Sequence, residues 1–150
     1  MNPKMHYKPL YVAYLVYFNR DRDYFECHEV LEELWLTENN DIRYKGLLQI
    51  AVALFHVRNH NIRGGLKMFK SALSYLAPYP KELLGINLDK LKQEVADYIR
   101  KLSTPNVIDF YDLSIDIIDS TLATEVAIAS ITLPPHLPLR TTYKHNKKRE

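Results

Sequence analysis

Apolar residues recur with the period of a helix over the first hundred positions. Tyr7, Tyr11, Tyr14 and Phe18 stand at i, i+4, i+7 and i+11 and predict a helix over 8–20. Asp21 to Asp23 offer a turn and an N-cap for a second helix over 23–38, with Tyr24, Leu31 and Trp35 at helical spacing. It frays at TENND, where Asn39, Asn40 and Asp41 favour a turn. The third helix, 42–59, is apolar around most of its circumference, as expected of a central element. HNIRGG at 60–65 breaks it. Asn61 can cap a fourth helix, and Gly64 and Gly65 allow close backbone approach or a left-handed turn. Leu66, Phe69, Leu73 and Leu76 form the stripe of that helix, which APYP stops. Asn87 caps a fifth helix running to Leu102, with Leu88, Leu91, Val95, Ile99 and Leu102 inward.

The period then changes. DLSIDI at 112–117 alternates apolar and polar, so 107–118 reads as an extended arm laid across the helices, with no second strand to pair with. Ser120 starts a short helix to about Ala129, and from Leu133 the chain turns proline-rich and then basic. The pattern predicts an all-α fold, a helical bundle of about five main helices with an extended C-terminal arm and a flexible basic tail. Residues 1–131 read as a single domain and 132–150 as the tail. No internal repeat and no heptad array marks a solenoid or coiled coil.

Composition narrows the picture. The 150 residues suit one domain, and 47% hydrophobic with 25% charged residues is ordinary globular usage. The net charge of +2 hides an asymmetry. Five cations of the tail (Arg140, Lys144, Lys147, Lys148, Arg149) and one acid (Glu150) set aside, fifteen basic face seventeen acidic residues in the rest. Five tail cations alone would give weak, salt-sensitive attraction to nucleic acid, which makes nucleic acid an unlikely partner.

The longest apolar run, LLQIAVALF at 47–55, is interrupted by Gln49 and is far shorter than the ~20 residues that span a bilayer. No membrane is expected. PLYVAYLVYF at 9–18 is tyrosine-rich, runs into NRDRD and lacks a small-residue cleavage site, unlike a secretory leader. The single Cys27 has no disulfide partner in the chain, which points to a reducing, cytoplasmic setting. No lysine or arginine flanks it, so it reads as a small buried hydrophobe rather than a reactive thiol.

The candidate chemistry lies in YFECHEVLEELW, 24–35. At about 100° per residue from His28, Glu32 falls near 40°, Trp35 near 340°, Tyr24 near 320° and Leu31 near 300°. His28 and Glu32 therefore flank an apolar stripe, whereas Glu26, Glu29 and Glu33 fall on a solvated face. The third helix has a matching polar stripe of Lys45, Gln49, His56 and His60. A hairpin of helices two and three would bring His28, Glu32, Gln49 and His56 together.

A carboxylate in a core needs a partner, a metal, a proton or water. One expectation is therefore a structural or interaction protein, with a protein partner or a second copy of itself, whose buried His/Glu/Gln/Trp network is closed by Gln49 and the Trp35 N–H. The alternative is an enzyme. His28, Glu32 and His56 would supply three ligands to a divalent metal such as Zn, Mn or Fe, or would act without metal as an acid/base pair. HEVLE is not HExxH, and the carboxylates of a di-iron bundle are missing. Arg58 and Arg63 could meet an anion near the fourth helix's N-terminus, although arginines beside a turn are ordinarily plain surface.

YFECHEVLEELW, followed by GLLQIAVALFH and the N-x-x-G of Asn61 to Gly64, resembles the bacterial and archaeal family called domain of unknown function 309, marked by an HxxxExxW motif. His28, Glu32 and Trp35 match that motif, and Gln49, His56, Asn61 and Gly64 match its second block. The resemblance covers about residues 10–77. It implies an all-helical bundle and emphasis on these positions, and it assigns no activity. The chain departs at His60, where the resemblance implies a glycine-like residue, and at Gly65, where it implies alanine.

Overall fold

The computed structural model describes residues 6–104 and 109–135. The expectations for residues 136–150 of the basic tail lie outside them. Six α-helices carry the described chain: α1 (Pro9–Val16), α2 (Tyr24–Thr37), α3 (Ile42–Arg58), α4 (Ile62–Leu76), α5 (Leu88–Leu102) and α6 (Ser120–Thr132). The fold is mostly all-α.

Short polar side chains start five of these helices. Asp23, Asp41, Asn61, Asn87 and Asp119 each accept a hydrogen bond from a backbone N–H in the first turn that follows, at the start of α2 to α6. α1 begins instead with Pro9 at its first turn. It does not run as one α-helix to residue 20, because Tyr17–Asp21 forms a turn of π-helix that Arg22 closes in the left-handed region at φ 57°. The widened turn ends the helix and lets Asp23 start α2.

α3 is the hub, packing against α2 on one side and α4 on the other. α2 and α3 run antiparallel: Phe25 meets Phe55 at 5.9 Å between ring centres, and at the other end Lys45 lies over Trp35. The core beneath α1 to α3 is aromatic, with Tyr11, Tyr14, Phe18 and Tyr24 all fully buried. The Tyr14 hydroxyl donates to the Leu47 carbonyl at 2.9 Å, and Tyr11 donates to the Leu84 carbonyl at 2.7 Å. α5 packs on α4 with Leu88, Leu91 and Val95 buried as expected, and in its last turns Tyr98, which meets Phe69, is fully buried while Ile99 and Leu102 are half-buried. The Tyr98 ring also stacks on Tyr111 of the arm at 4.1 Å.

Residues 109–119 are extended, with Leu113 and Ile115 buried and Asp112 and Ser114 exposed, as the alternation predicts. The expectation that the arm lacks a pairing partner is corrected. Two short strands, β1 (Glu82–Leu83) and β2 (Ile86–Asn87), form a hairpin around Leu84 and Gly85, both at positive φ, and Ile86 bridges to Ile117. Asn19 mimics a neighbouring strand. Its amide donates to the Ile115 carbonyl and accepts from the Ile115 N–H, both at 2.9 Å. α6 packs on α1, and the Arg20 guanidinium, held by Asp21, donates to the carbonyls of Ser130, Leu133 and Pro134 at its end. No helix among the described residues is long and apolar enough to cross a membrane.

Candidate functional site

Antiparallel packing brings the two polar stripes to one place. A cavity of about 460 Å³ lies between α2, α3 and α4. From α2 it takes Tyr24, Phe25, His28 and Glu32, and from α3 a face stepping i, i+4, i+7 and i+11 through Lys45, Gln49, Val52 and His56. Asn61, Gly64, Lys67 and Met68 close the third side. Tyr24, His28, Glu32, Gln49, His56 and Asn61, all singled out from sequence, thus line one cavity. Trp35 and Arg63 do not line it, and His60 sits exposed in the left-handed turn between α3 and α4 at φ 66°.

The His28 and Glu32 side chains are 15% and 23% exposed, with His28 Nε2 3.9 Å from a Glu32 oxygen. His28 Nδ1 also lies 3.6 Å from Glu29, whose side chain is 23% exposed rather than fully solvated and does not line the cavity. Gln49 and Trp35 do not close the expected network. Trp35 Nε1 and Gln49 Oε1 are buried with no hydrogen-bond partner among the described residues, so neither closes a network around Glu32. The Trp35 ring instead takes the Lys45 ammonium at 4.5 Å and so positions a cation at the cavity without touching it.

The metal expectation finds no support in the side-chain arrangement. Among the described residues no group of three or more His, Cys, Asp or Glu side chains stands close enough to hold a metal ion. His28 is engaged along its own helix by Glu29 and Glu32, and His56 Nδ1 lies 3.4 Å from the Asn61 amide nitrogen. Asn61 is thereby doubly used, since its oxygen also accepts the Gly64 N–H at 2.9 Å and caps α4.

Arg58 is engaged within the fold. Its guanidinium lies 4.6 Å over Tyr24 and 5.1 Å over Phe110, and it pairs with Asp112 at 3.4 Å; Arg63 is simply exposed. Tyr24 donates its hydroxyl to Asp112. Burial first, then that carboxylate, pushes the Tyr24 phenol far above its usual value, so it serves as a neutral wall. Burial likewise drives the Cys27 thiol well up, in keeping with an inert cysteine. Sequence reasoning missed Lys67, Met68 and the Phe110–Asp112 buttress. The spacing of Gly64 and Lys67, three residues apart on α4, was the available signal for the lysine.

The family model for the domain of unknown function DUF309 matches residues 11–68. That stretch contains every residue lining the cavity. Over 105 residues, 65% of this chain, the sequence is 35% identical to the uncharacterized protein YpuF of Bacillus subtilis (strain 168) and covers 60% of it. Over 73 residues, 47% of this chain, it is 37% identical to an uncharacterized protein of Aquifex aeolicus (strain VF5), of which it covers 22%. The chain thus spans about three fifths of one curated relative and about a fifth of the other. No solved structure matches. DUF309 marks the location of the cavity and leaves its chemistry to the geometry.

Proposed function

We propose that the cavity between α2, α3 and α4 binds a small polar molecule and that His28 and His56 exchange protons with it, Glu32 biasing the charge on His28. The observation that carries this reading is the shared wall: Tyr24, His28, Glu32, Gln49, His56 and Asn61 all face one cavity of about 460 Å³. That size suits a small ligand, and half-open histidines beside a carboxylate are the equipment of general acid–base chemistry. A buried network serving only helix register would instead have closed on Gln49 and Trp35, whose Oε1 and Nε1 are left unpaired among the described residues. The proposal takes the chain as a member of the DUF309 family, with residues 1–131 as one domain in a reducing, cytoplasmic setting.

His28→Gln and Glu32→Gln, made singly in the full chain, test it against a panel of soluble fragments followed by ligand-observed NMR. Both variants are expected to melt within about 3 °C of the parent, because neither side chain is buried deeply, and to lose fragment binding. A parent chain that binds no fragment, together with variants that melt far lower, would return these residues to a purely structural role.

A further inference from the structure

We infer that the molecule held between α2, α3 and α4 carries an oxyanion, a carboxylate or a phosphate, which Lys45 and Lys67 receive while the Gln49 amide bonds a polar group beside it. This rests on the reading of the cavity as a ligand site and adds the class of ligand. Three independent features carry it.

The first is charge. The cavity wall holds two lysines against one carboxylate, Glu32, and that carboxylate lies beside His28 on α2, whereas the lysines come from α3 and α4. Neither lysine forms an ion pair among the described residues, although Lys8, Lys90 and Lys101 do. The second is preorganisation. Lys45 lines the cavity with its ammonium laid over the Trp35 ring at 4.5 Å, which restricts the side chain beside the cavity before any ligand arrives.

The third is Gln49. It lines the cavity, is only 8% exposed, and its Oε1 is buried without a partner among the described residues. An unpaired buried amide oxygen is costly, about 1–3 kcal/mol, and a ligand hydroxyl or N–H would offset that. Turned over, the same amide would offer an N–H to an oxyanion, so either face suits a ligand that is anionic at one end and hydrogen-bonding beside it. The ligand's charged group belongs on the α3–α4 side, because Glu29 and Glu32 on α2 would repel it.

The test uses the ¹⁵N-labelled full chain titrated with succinate, with inorganic phosphate and with succinamide, the uncharged counterpart of succinate. Succinate or phosphate is expected to shift the Gln49 side-chain amide and the Gly64 backbone amide saturably, and which of the two does so separates carboxylate from phosphate ligands. Lys45→Gln or Lys67→Gln, with spectra otherwise unchanged, should each weaken binding about tenfold, as the loss of one charge-assisted contact would. Lys67→Arg should retain it. Binding of succinamide alone, or anion binding undiminished in the double glutamine variant, overturns the inference and leaves the cavity as a ligand site. If none of the three compounds binds, the inference is overturned, and if the fragment panel fails as well, the ligand-site reading falls with it.

Discussion

Asp41 shows how one carboxylate aligns the helix on which the cavity depends. Its Oδ1 accepts the Arg43 N–H at 3.0 Å, and the Arg43 guanidinium grips both carboxylate oxygens at 2.7–3.2 Å. That side-chain pairing, ahead of the opposing effect of burial, holds its carboxyl below the usual range. A folded-state value below the unfolded one stabilises the protein fully above the unfolded value of about 3.9, and the effect is lost as pH falls through the folded value. Asp41→Ala should therefore cost about 1 kcal/mol at pH 7, the ordinary worth of an N-cap, and distinctly less at pH 2.5. Urea denaturation at the two pH values checks this; an equal cost at both would show that the cap acts without its charge. Burial keeps the Tyr24 phenol and the Cys27 thiol neutral at physiological pH, so the proposed proton exchange is assigned to neither of them.

Two glycines let α3 and α4 pack closely enough to share the cavity. A Cβ on Gly46 of α3 would lie 2.5 Å from Leu76 Cγ of α4, and one on Gly65 of α4 would lie 2.4 Å from Val57 Cγ2 and 3.2 Å from the Ala53 carbonyl oxygen of α3. Val57 is β-branched and buried, so it cannot swing aside, and the Ala53 oxygen is backbone. Gly65→Ala should destabilise by about 1–3 kcal/mol through overpacking, and adding Val57→Ala should recover part of that loss; denaturation of the single and double variants measures both. The family resemblance implies alanine at position 65, and Val57 is the physical reason that glycine stands there in this chain. Helices were legible in the sequence because their signals are local: α2 to α5 begin at or within a residue of the expected starts, where Asp23, Asp41, Asn61 and Asn87 cap them. The hairpin at 82–87 was not, since strands of two residues are too short to show a period. At the site, the angular count found His28, Glu32, Gln49 and His56, all of which depend on one helix each. It could not find the Lys45–Trp35 contact or the buttress behind Tyr24, because both join residues from different elements.

At the scale of the whole molecule, the cavity lies within the segment that DUF309 matches, and the arm, α5 and α6 lie outside it. Tyr24 is one of the places where the two parts meet, and the one at the cavity. Arg58 lies against both the Tyr24 and Phe110 rings, which meet edge-on at 6.3 Å, and Asp112 accepts the Tyr24 hydroxyl while pairing with Arg58, so the arm braces one wall of the cavity from behind. Arg22 ties the same arm down, donating to the Leu113 carbonyl and to the Ser114 hydroxyl. Phe110→Ala removes the ring that meets both Tyr24 and Arg58 without touching the cavity. A loss of about 1 kcal/mol would lower the melting temperature by roughly 2–6 °C in a domain of this size. Hydrogen exchange should then quicken at residues 109–117 while the amides of α2 to α4 keep their protection, and fragment binding should weaken a few-fold through the loosened Tyr24 wall. Equal loss of protection in α2 to α4 would mean that the arm and the three helices around the cavity open as one cooperative unit. Protection lost in the arm alone, with binding weakened, would show that the segment outside the family match tunes a site it does not line.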